Sequence, residues 1–330
     1  MGGSPLFLDV VSALLSFLFA FAFVPAMRHI AIKTGFVDLP TERKAHKNPL
    51  PMLGGAAMLV AFMLSTILVR HDFLHATWRT DKPFIGMAAG ALLMFIVGMV
   101  DDYAKTRRKE FPAWPKFAAQ IVAASFLVAS GVVIRGIEDP VHGAYFITFS
   151  PWIRDFLTIV WVVGIVNVFN FLDGMDGLAG GIAAISATTL MIISTIKGDS
   201  TSAILAASLI GVTLAFLRYN FYPARIIMGD AGSTFLGYVL AAIAVMGAFK
   251  SATVVSIFVP ILALGVPIFD ALYVVLRRAR ERRPLHKADR THGHYRLMAS
   301  GLTQIQTVSV MYLVALAFCL ASILIAITTR

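Results

Sequence analysis

The sequence has little charge and almost no cysteine, and both shortages limit what the protein can be. Only 14% of its 330 residues are Asp, Glu, Lys or Arg, whereas a soluble globular domain carries roughly 25%. So few charges cannot cover the surface of a soluble chain of this length. The single cysteine, Cys319, cannot form an intrachain disulfide, which excludes a disulfide-stapled secreted scaffold.

Apolar residues make up 58% of the chain, and the mean hydropathy is +0.80. A membrane-spanning helix needs about 17–25 apolar residues. Ten runs approach or meet that length: 6–27, 54–69, 84–100, 117–134, 154–172, 178–196, 202–217, 233–249, 254–276 and 307–328. We therefore predict an all-α polytopic membrane protein with about ten transmembrane helices, built as a single domain over residues 1–330.

The net charge of +10 is best explained by topology, and nucleic-acid binding is excluded for so apolar a chain. Of the 28 Lys and Arg residues, 20 fall in the loops after the odd-numbered runs, which makes those loops cytoplasmic. Both termini then face out, and the excess charge suits anionic membrane lipid. Residues 1–5 carry no Lys or Arg, so we expect the first run to be a span and not a cleaved signal peptide.

Two local features lie within this plan. Pro260 and Pro267 fall inside the ninth run and predict a kink, because proline removes a helical hydrogen bond. The connection 135–153 contains AYFITFS, which favours a short hairpin.

Carboxylates and amides cluster at the inner ends of the spans. Asp101 and Asp102 end the third run in MVDDYAKTRRK, and Lys105 follows within one helical turn. A solvated charge cluster at the membrane edge is one interpretation. The alternative is a carboxylate pair that takes a proton or binds metal-linked phosphate.

A second cluster reads NVFNFLDGMDGLAGG. Asn167, Asn170 and Asp173 are spaced three apart and share one face of a helix end, and Asp176 follows across Gly174. Asn and Asp oxygens are hard ligands that suit Mg²⁺, which also binds substrate phosphates. A simple polar turn is the alternative, but four such side chains in ten residues favour a site.

Three further segments complete the pattern. Asp230 in MGDAGS stands before the eighth run, where it can serve as a helix N-cap, and this role does not exclude metal ligation beside a bound phosphate. In the last cytoplasmic loop, Arg290, His292 and His294 offer donors to a phosphate or sugar, with the two histidines on one side of an extended segment. Zinc is disfavoured there because thiolates and an HExxH helix are lacking. Asp270, in the ninth run, either packs or lines the site.

These clusters, in this order, resemble the polyprenyl-phosphate N-acetylhexosamine-1-phosphate transferases. The strings NxxNxxDGxDGLAGG and MGDAGS carry the resemblance, which runs from about Asp38 to Gln304. The loop sequence HGHYRL resembles the GlcNAc-1-phosphate branch more than the phospho-MurNAc-pentapeptide branch, although Tyr295 stands where that first branch often has another His. The resemblance implies transfer of sugar-1-phosphate from a UDP-N-acetylhexosamine to undecaprenyl phosphate, with release of UMP. This step would begin a cell-envelope polysaccharide at the cytoplasmic face of a bacterial inner membrane.

The resemblance also assigns roles and a cofactor, Mg²⁺ or Mn²⁺. Asp101 and Asp102 match the catalytic pair, and Asn170 and Asp230 match the metal ligands. The other matched residues fall into a nucleotide and diphosphate set, Lys47, Lys105, Asn167, Asp173 and Asp176, and a sugar-phosphate set, Arg290, His292 and His294.

Several alternatives stay open from the sequence. A carboxylate either activates the lipid phosphate for direct attack or attacks first and forms a covalent intermediate. A homodimer is one alternative for the oligomeric state. The competing functional classes are a UDP-MurNAc-pentapeptide-specific transferase, a membrane transporter and a non-catalytic scaffold. A transporter would place charges near the midplane of the membrane, and this sequence shows none there.

Overall fold

The computed structural model describes residues 5–40, 48–74, 81–109, 111–138, 146–247, 254–281 and 292–328. Most of these residues are helical. The helices are α1 (Pro5–Thr34), α2 (Gly54–Leu74), α3 (Lys82–Thr106), α4 (Ala113–Ala129), α5 (Pro151–Leu172), α6 (Leu178–Ile196), α7 (Ser200–Asn220), α8 (Gly229–Gly247), α9 (Val254–Ala263), α10 (Gly265–Arg280), α11 (Gly293–Ala299) and α12 (Gln304–Thr328).

Two short antiparallel hairpins accompany the helices. Strands β1 (Val37–Asp38) and β2 (Leu50–Pro51) pair with Val37 opposite Pro51. Strands β3 (Gly136–Glu138) and β4 (Phe146–Thr148) pair with Ile137 opposite Ile147. The second hairpin confirms the prediction for the connection 135–153.

Eight of the described helices are long and apolar enough to cross a membrane, which confirms an all-α polytopic membrane protein. The other two predicted spans are shorter helices. One is α4, with 17 residues, and the other is divided between α9 and α10. This division confirms the predicted kink, and Pro267 lies in the first turn of α10, where it needs no N–H. The count of ten and the outward termini stay predictions.

Helix α8 forms the centre of the bundle, with α2, α3, α5, α6 and α7 packed around it and nearly all of its residues buried. Its contact with α3 depends on Gly98, because a side chain there would overlap the backbone of Ala231. Small residues at helix contacts in membranes allow such close approach. Gly98 lies one turn before the carboxylate pair of α3, so this contact brings that pair to the start of α8.

Two loops at this end of the bundle are fixed by backbone hydrogen bonds. Gly54 N–H donates to the Ile227 carbonyl at 3.1 Å, and Ile227 N–H donates to the Pro51 carbonyl at 2.9 Å. Asn220 accepts from Gly177 N–H at 3.0 Å and donates to the Ile226 carbonyl at 2.9 Å. The turn after α5 and the segment before α8 are therefore held together.

Candidate active site

A cavity of about 510 Å³ opens at the end of the bundle where α3 and α5 end and α4 and α8 begin. Its polar lining comes from most of the clusters that the sequence singled out, and its apolar lining from α3, α4, α5 and α10. The polar residues are Asp101, Lys116, Gln120, Asn167, Asn170, Asp173, Asp230, Thr234, Arg278, His292 and Tyr295. Its size is that of a small-molecule site, and the clusters meet at one end of the bundle, as predicted.

Three carboxylates meet at the cavity. Single oxygens of Asp101, Asp102 and Asp230 lie within 4.8 Å of one another. Lys105 Nζ lies 3.0 Å from Asp101 and 2.5 Å from Asp230. Lys116 Nζ lies 2.6 Å from Asp101 and 3.1 Å from Asp230. Because three carboxylates face two ammonium groups, the fully ionised cluster has one excess negative charge, which a divalent cation can neutralise.

The adjacent residues Asp101 and Asp102 have different contacts. Asp102 is fully buried, and its two oxygens accept from the N–H groups of Asp230 at 2.9 Å and Ala231 at 3.0 Å. These N–H groups belong to the first turn of α8, where a negative charge is favoured. Asp102 therefore caps α8 across the helix contact, while Asp101 lines the cavity.

This arrangement tests the N-cap interpretation of Asp230. Helix α8 begins at Gly229, so Asp230 lies inside the first turn and not at the N-cap. Its carboxylate is directed to Lys105 and Lys116, and its own N–H is satisfied by Asp102. The N-cap interpretation is wrong, because another carboxylate already serves the helix. Asp230 lines the cavity, and its role as a metal ligand stays a prediction.

The sequence interpretation missed Lys116 and Gln120. Both lie on α4, which begins at Ala113, whereas the predicted run 117–134 leaves Lys116 in the preceding positive loop. The amides of Gln120 and Asn167 exchange hydrogen bonds of 2.7 and 3.2 Å. The signal was available, since a lysine followed four residues later by a glutamine is unusual inside an apolar helix.

The Asn/Asp cluster on α5 faces the cavity in part. Asn170 donates to Ser233 Oγ at 3.0 Å, which leaves its side-chain oxygen as the atom suited to a cation. Asp173 ends α5 at the cavity, and burial, together with the charges of Asp230 and Asp102, raises its pKa well above the usual range. Asp176 is not brought to the cavity, because it turns away and accepts from Ala224 N–H at 3.0 Å.

The histidine segment differs from its prediction. His292 occupies the N-cap position of α11 and His294 lies inside that helix, so the predicted extended segment is wrong. The cause is Asp270, which accepts from Gly293 N–H at 2.6 Å and thereby starts the helix. The two imidazole rings still stack, with centroids 5.9 Å apart.

Only one of these histidines reaches the cavity. His292 lines it, whereas His294 is fully buried against Tyr295, and a side chain at Gly174 would meet it. Burial lowers the pKa of His294 to about 4, so this ring is neutral at physiological pH. His294 is therefore not among the residues that line the cavity, and its expected contact with the sugar phosphate stays a prediction. Lys47 and Arg290 lie outside the described residues, and the roles assigned to them stay predictions.

Comparisons with known proteins agree with this geometry. Residues 84–248 match the model of the family described as "Glycosyl transferase family 4". A Bacillus subtilis (strain 168) protein named "Probable undecaprenyl-phosphate N-acetylglucosaminyl 1-phosphate transferase" is 34% identical over 96% of this chain and 84% of its own length.

Two further relatives carry related names. "Decaprenyl-phosphate N-acetylglucosaminephosphotransferase" of Mycobacterium tuberculosis (strain ATCC 25618 / H37Rv) is 32% identical over 87% of this chain and 75% of its own length. "Undecaprenyl-phosphate alpha-N-acetylglucosaminyl 1-phosphate transferase" of Yersinia pestis is 26% identical over 88% of this chain and 77% of its own length. The matched family segment contains the three clustered carboxylates.

Proposed function

Because this chain belongs to glycosyl transferase family 4, we propose that it transfers GlcNAc-1-phosphate from UDP-GlcNAc to a polyprenyl phosphate and releases UMP. The names of its relatives agree on the GlcNAc-1-phosphate group, while they differ between undecaprenyl and decaprenyl acceptors. We favour undecaprenyl phosphate as the acceptor, which is the lipid in the name of the Bacillus subtilis relative at 34% identity. UDP-MurNAc-pentapeptide and a transport function are not favoured.

The observation that carries this proposal is the cluster of Asp101, Asp102 and Asp230 beside a cavity of ligand size. Phosphoryl transfer depends mainly on positioning and on neutralising charge. Asp230, with the side-chain oxygen of Asn170, is suited to hold Mg²⁺. The ion would supply charge neutralisation at the diphosphate and stabilise the leaving UMP.

The protein's own groups supply the rest of the chemistry. Lys105 and Lys116 place two positive charges beside the cavity, where phosphate oxygens gain negative charge during transfer. Asp101 lines the cavity and is the carboxylate placed to accept a proton from the lipid phosphate or to orient it. Both oxygens of Asp102 accept hydrogen bonds from α8, so we assign Asp102 a structural role. Direct attack and a covalent intermediate both remain compatible with this arrangement.

The cavity also suits a reaction between a water-soluble and a lipid substrate. Its polar groups lie at helix ends, and the exposed side chains of Phe117 and Phe171 lie on the same cavity wall as Val274 and Val275. The positive loops belong to the same end of the bundle, so we assign it to the cytoplasmic face of the bacterial inner membrane. UDP-sugars would then enter from the cytoplasm.

The test is to incubate the purified protein with labelled UDP-GlcNAc, undecaprenyl phosphate and Mg²⁺, and to measure lipid-linked product and UMP in equal amounts. Addition of EDTA should stop the reaction, and Mg²⁺ or Mn²⁺ should restore it. Asp230→Asn should abolish turnover. Asp155→Asn is the matched control, because Asp155 pairs with Arg154 on the surface at the opposite end of α5.

Two results would overturn the proposal. Faster turnover of UDP-MurNAc-pentapeptide than of UDP-GlcNAc would refute the donor. Unchanged turnover after complete chelation, or in a folded Asp230→Asn variant, would refute the assigned metal site.

A further inference from the structure

Asp270 contacts His292 and is not among the residues that line the cavity. Its Oδ2 is 2.8 Å from His292 Nδ1, and its Oδ1 accepts from Gly293 N–H at 2.6 Å. Both side chains are largely buried, with relative exposures of 11% for Asp270 and 10% for His292. Because each carboxylate oxygen has its own partner, neither Asp270 nor the imidazole is free to rotate.

We propose that Asp270 is a positioning residue that holds His292 with a proton on Nδ1 and presents the bare Nε2 to the cavity as a hydrogen-bond acceptor. A carboxylate accepts hydrogen bonds only, so the neutral imidazole beside it must carry its proton on Nδ1. The partner of one ring nitrogen thus decides the chemistry of the other. This proposal rests on the proposed function for the identity of the group that Nε2 meets.

Neighbouring rings fix the plane of this imidazole. Phe171 lines the cavity, and the centroid of its ring lies 5.3 Å from that of the His292 ring. The ring of His294 also stacks on His292, with the two centroids 5.9 Å apart. His294 cannot share the task, because it is fully buried and absent from the cavity lining. His292 is therefore the single histidine of the pair that is placed to meet a ligand.

An acceptor at this point selects a donor group on the substrate. Sugar hydroxyls and the N–H of an acetamido group are donors, whereas phosphate oxygens are acceptors. The predicted contact of His292 with the sugar phosphate is accordingly replaced by a contact with the sugar itself. A site that binds a hydroxyl or N–H in this way rejects analogues that lack it, because its own polar group would then stay unpaired.

The tautomer can be tested without any assumption about the reaction. The purified full-length protein is labelled with ¹⁵N in its 8 histidines, and the pair of nitrogen shifts that is absent in His292→Gln is assigned to His292. At neutral pH, this pair should show a protonated Nδ1 and a bare Nε2. In Asp270→Asn, the amide oxygen can still accept from Gly293 while the NH₂ group donates to Nδ1. The proton should therefore move to Nε2. A wild-type His292 with its proton on Nε2 would overturn the proposal.

Kinetics then test whether Asp270 acts through His292. Asp270→Asn should lower kcat/KM for UDP-GlcNAc by about 10- to 100-fold, the range found for groups that orient a functional histidine. The same change in a His292→Ala background should cause little further loss, and Asp270→Glu should recover part of the activity. UMP affinity should stay near that of the wild type, and Asp155→Asn serves as the matched control.

The outcomes separate this proposal from the proposed function. Independent losses in the double variant would assign Asp270 to general folding and overturn the positioning role. If the wild-type protein does not turn over UDP-GlcNAc, the function fails, while the nitrogen shifts still decide the tautomer.

Discussion

Replacing Asp102 with Ala should lower the free energy of unfolding more than the removal of any other single carboxylate at the site. Asp102 is fully buried and accepts from two N–H groups in the first turn of α8. Helix α8 is in turn the element around which five other helices pack. The change therefore removes a cap from the centre of the bundle.

The magnitude follows from the two hydrogen bonds. A buried donor left without a partner costs about 1–3 kcal/mol, so two of them cost about 2–6 kcal/mol. Loss of a negative charge at a helix N-terminus adds about 0.3–1 kcal/mol at low ionic strength. Asp101→Ala should cost less, because the described contacts of Asp101 are with side chains, those of Lys105 and Lys116 among them.

The assay is unfolding of detergent-solubilised protein followed by fluorescence of its 4 tryptophans, with turnover measured on the same samples. We expect Asp102→Ala to lower the unfolding midpoint clearly, and Asp101→Ala to keep the midpoint while losing turnover. Equal midpoints for Asp102→Ala and the wild type would refute the cap. A larger loss of stability for Asp101→Ala would reverse the assignment of the two aspartates.

Three further predictions use the same preparations. Gly229→Ala should cost about 1–2 kcal/mol for a left-handed φ of +68° and should also displace Asp102, lowering the unfolding midpoint and turnover together; unchanged values would contradict this. Lys116→Met should lower turnover by about 10²-fold with little change in the unfolding midpoint, whereas a Lys116→Met enzyme as fast as wild type would remove this lysine from the site. The pKa of His294 falls from about 6.5 in the unfolded chain to about 4 in the folded protein. The free energy of unfolding should therefore be highest above pH 6.5 and drop by about 3 kcal/mol as the pH falls to 4. His294→Leu should flatten this part of the plot of unfolding free energy against pH, and an unaltered plot would exclude His294 as its source.

Sequence reasoning recovered the fold because one force dominates it. A membrane-spanning helix must be apolar over a fixed length, so length and composition alone place α6, α7 or α12 within a few residues. The weaker cases were α4, which is only 17 residues long, and the run 254–276, which is split after Ala263. In both, apolar composition continues past the end of a helix, and composition cannot report where the backbone breaks.

The site was recovered by residue type but not by partner. Spacing along one helix places Asn167, Asn170 and Asp173 together, because helical periodicity is local. The partners of Asp102 are 128 and 129 residues away in the chain, and Lys116 meets Asp230 across 114 residues. Such contacts depend on how the helices cross. No pattern within one segment could distinguish Asp102, which caps α8, from Asp101, which lines the cavity.

The position of the two lysines explains how this cluster can serve an anionic substrate. When all three carboxylates are ionised, they and the two ammonium groups carry a net charge of about −1, which alone would repel a UDP-sugar and a lipid phosphate. With Mg²⁺ bound as proposed, the same five side chains and the ion carry about +1. The cation and the phosphates then each favour the binding of the other, as linkage requires. Asp102 contributes its charge to this balance without competing for substrate, because both of its oxygens are already held by α8.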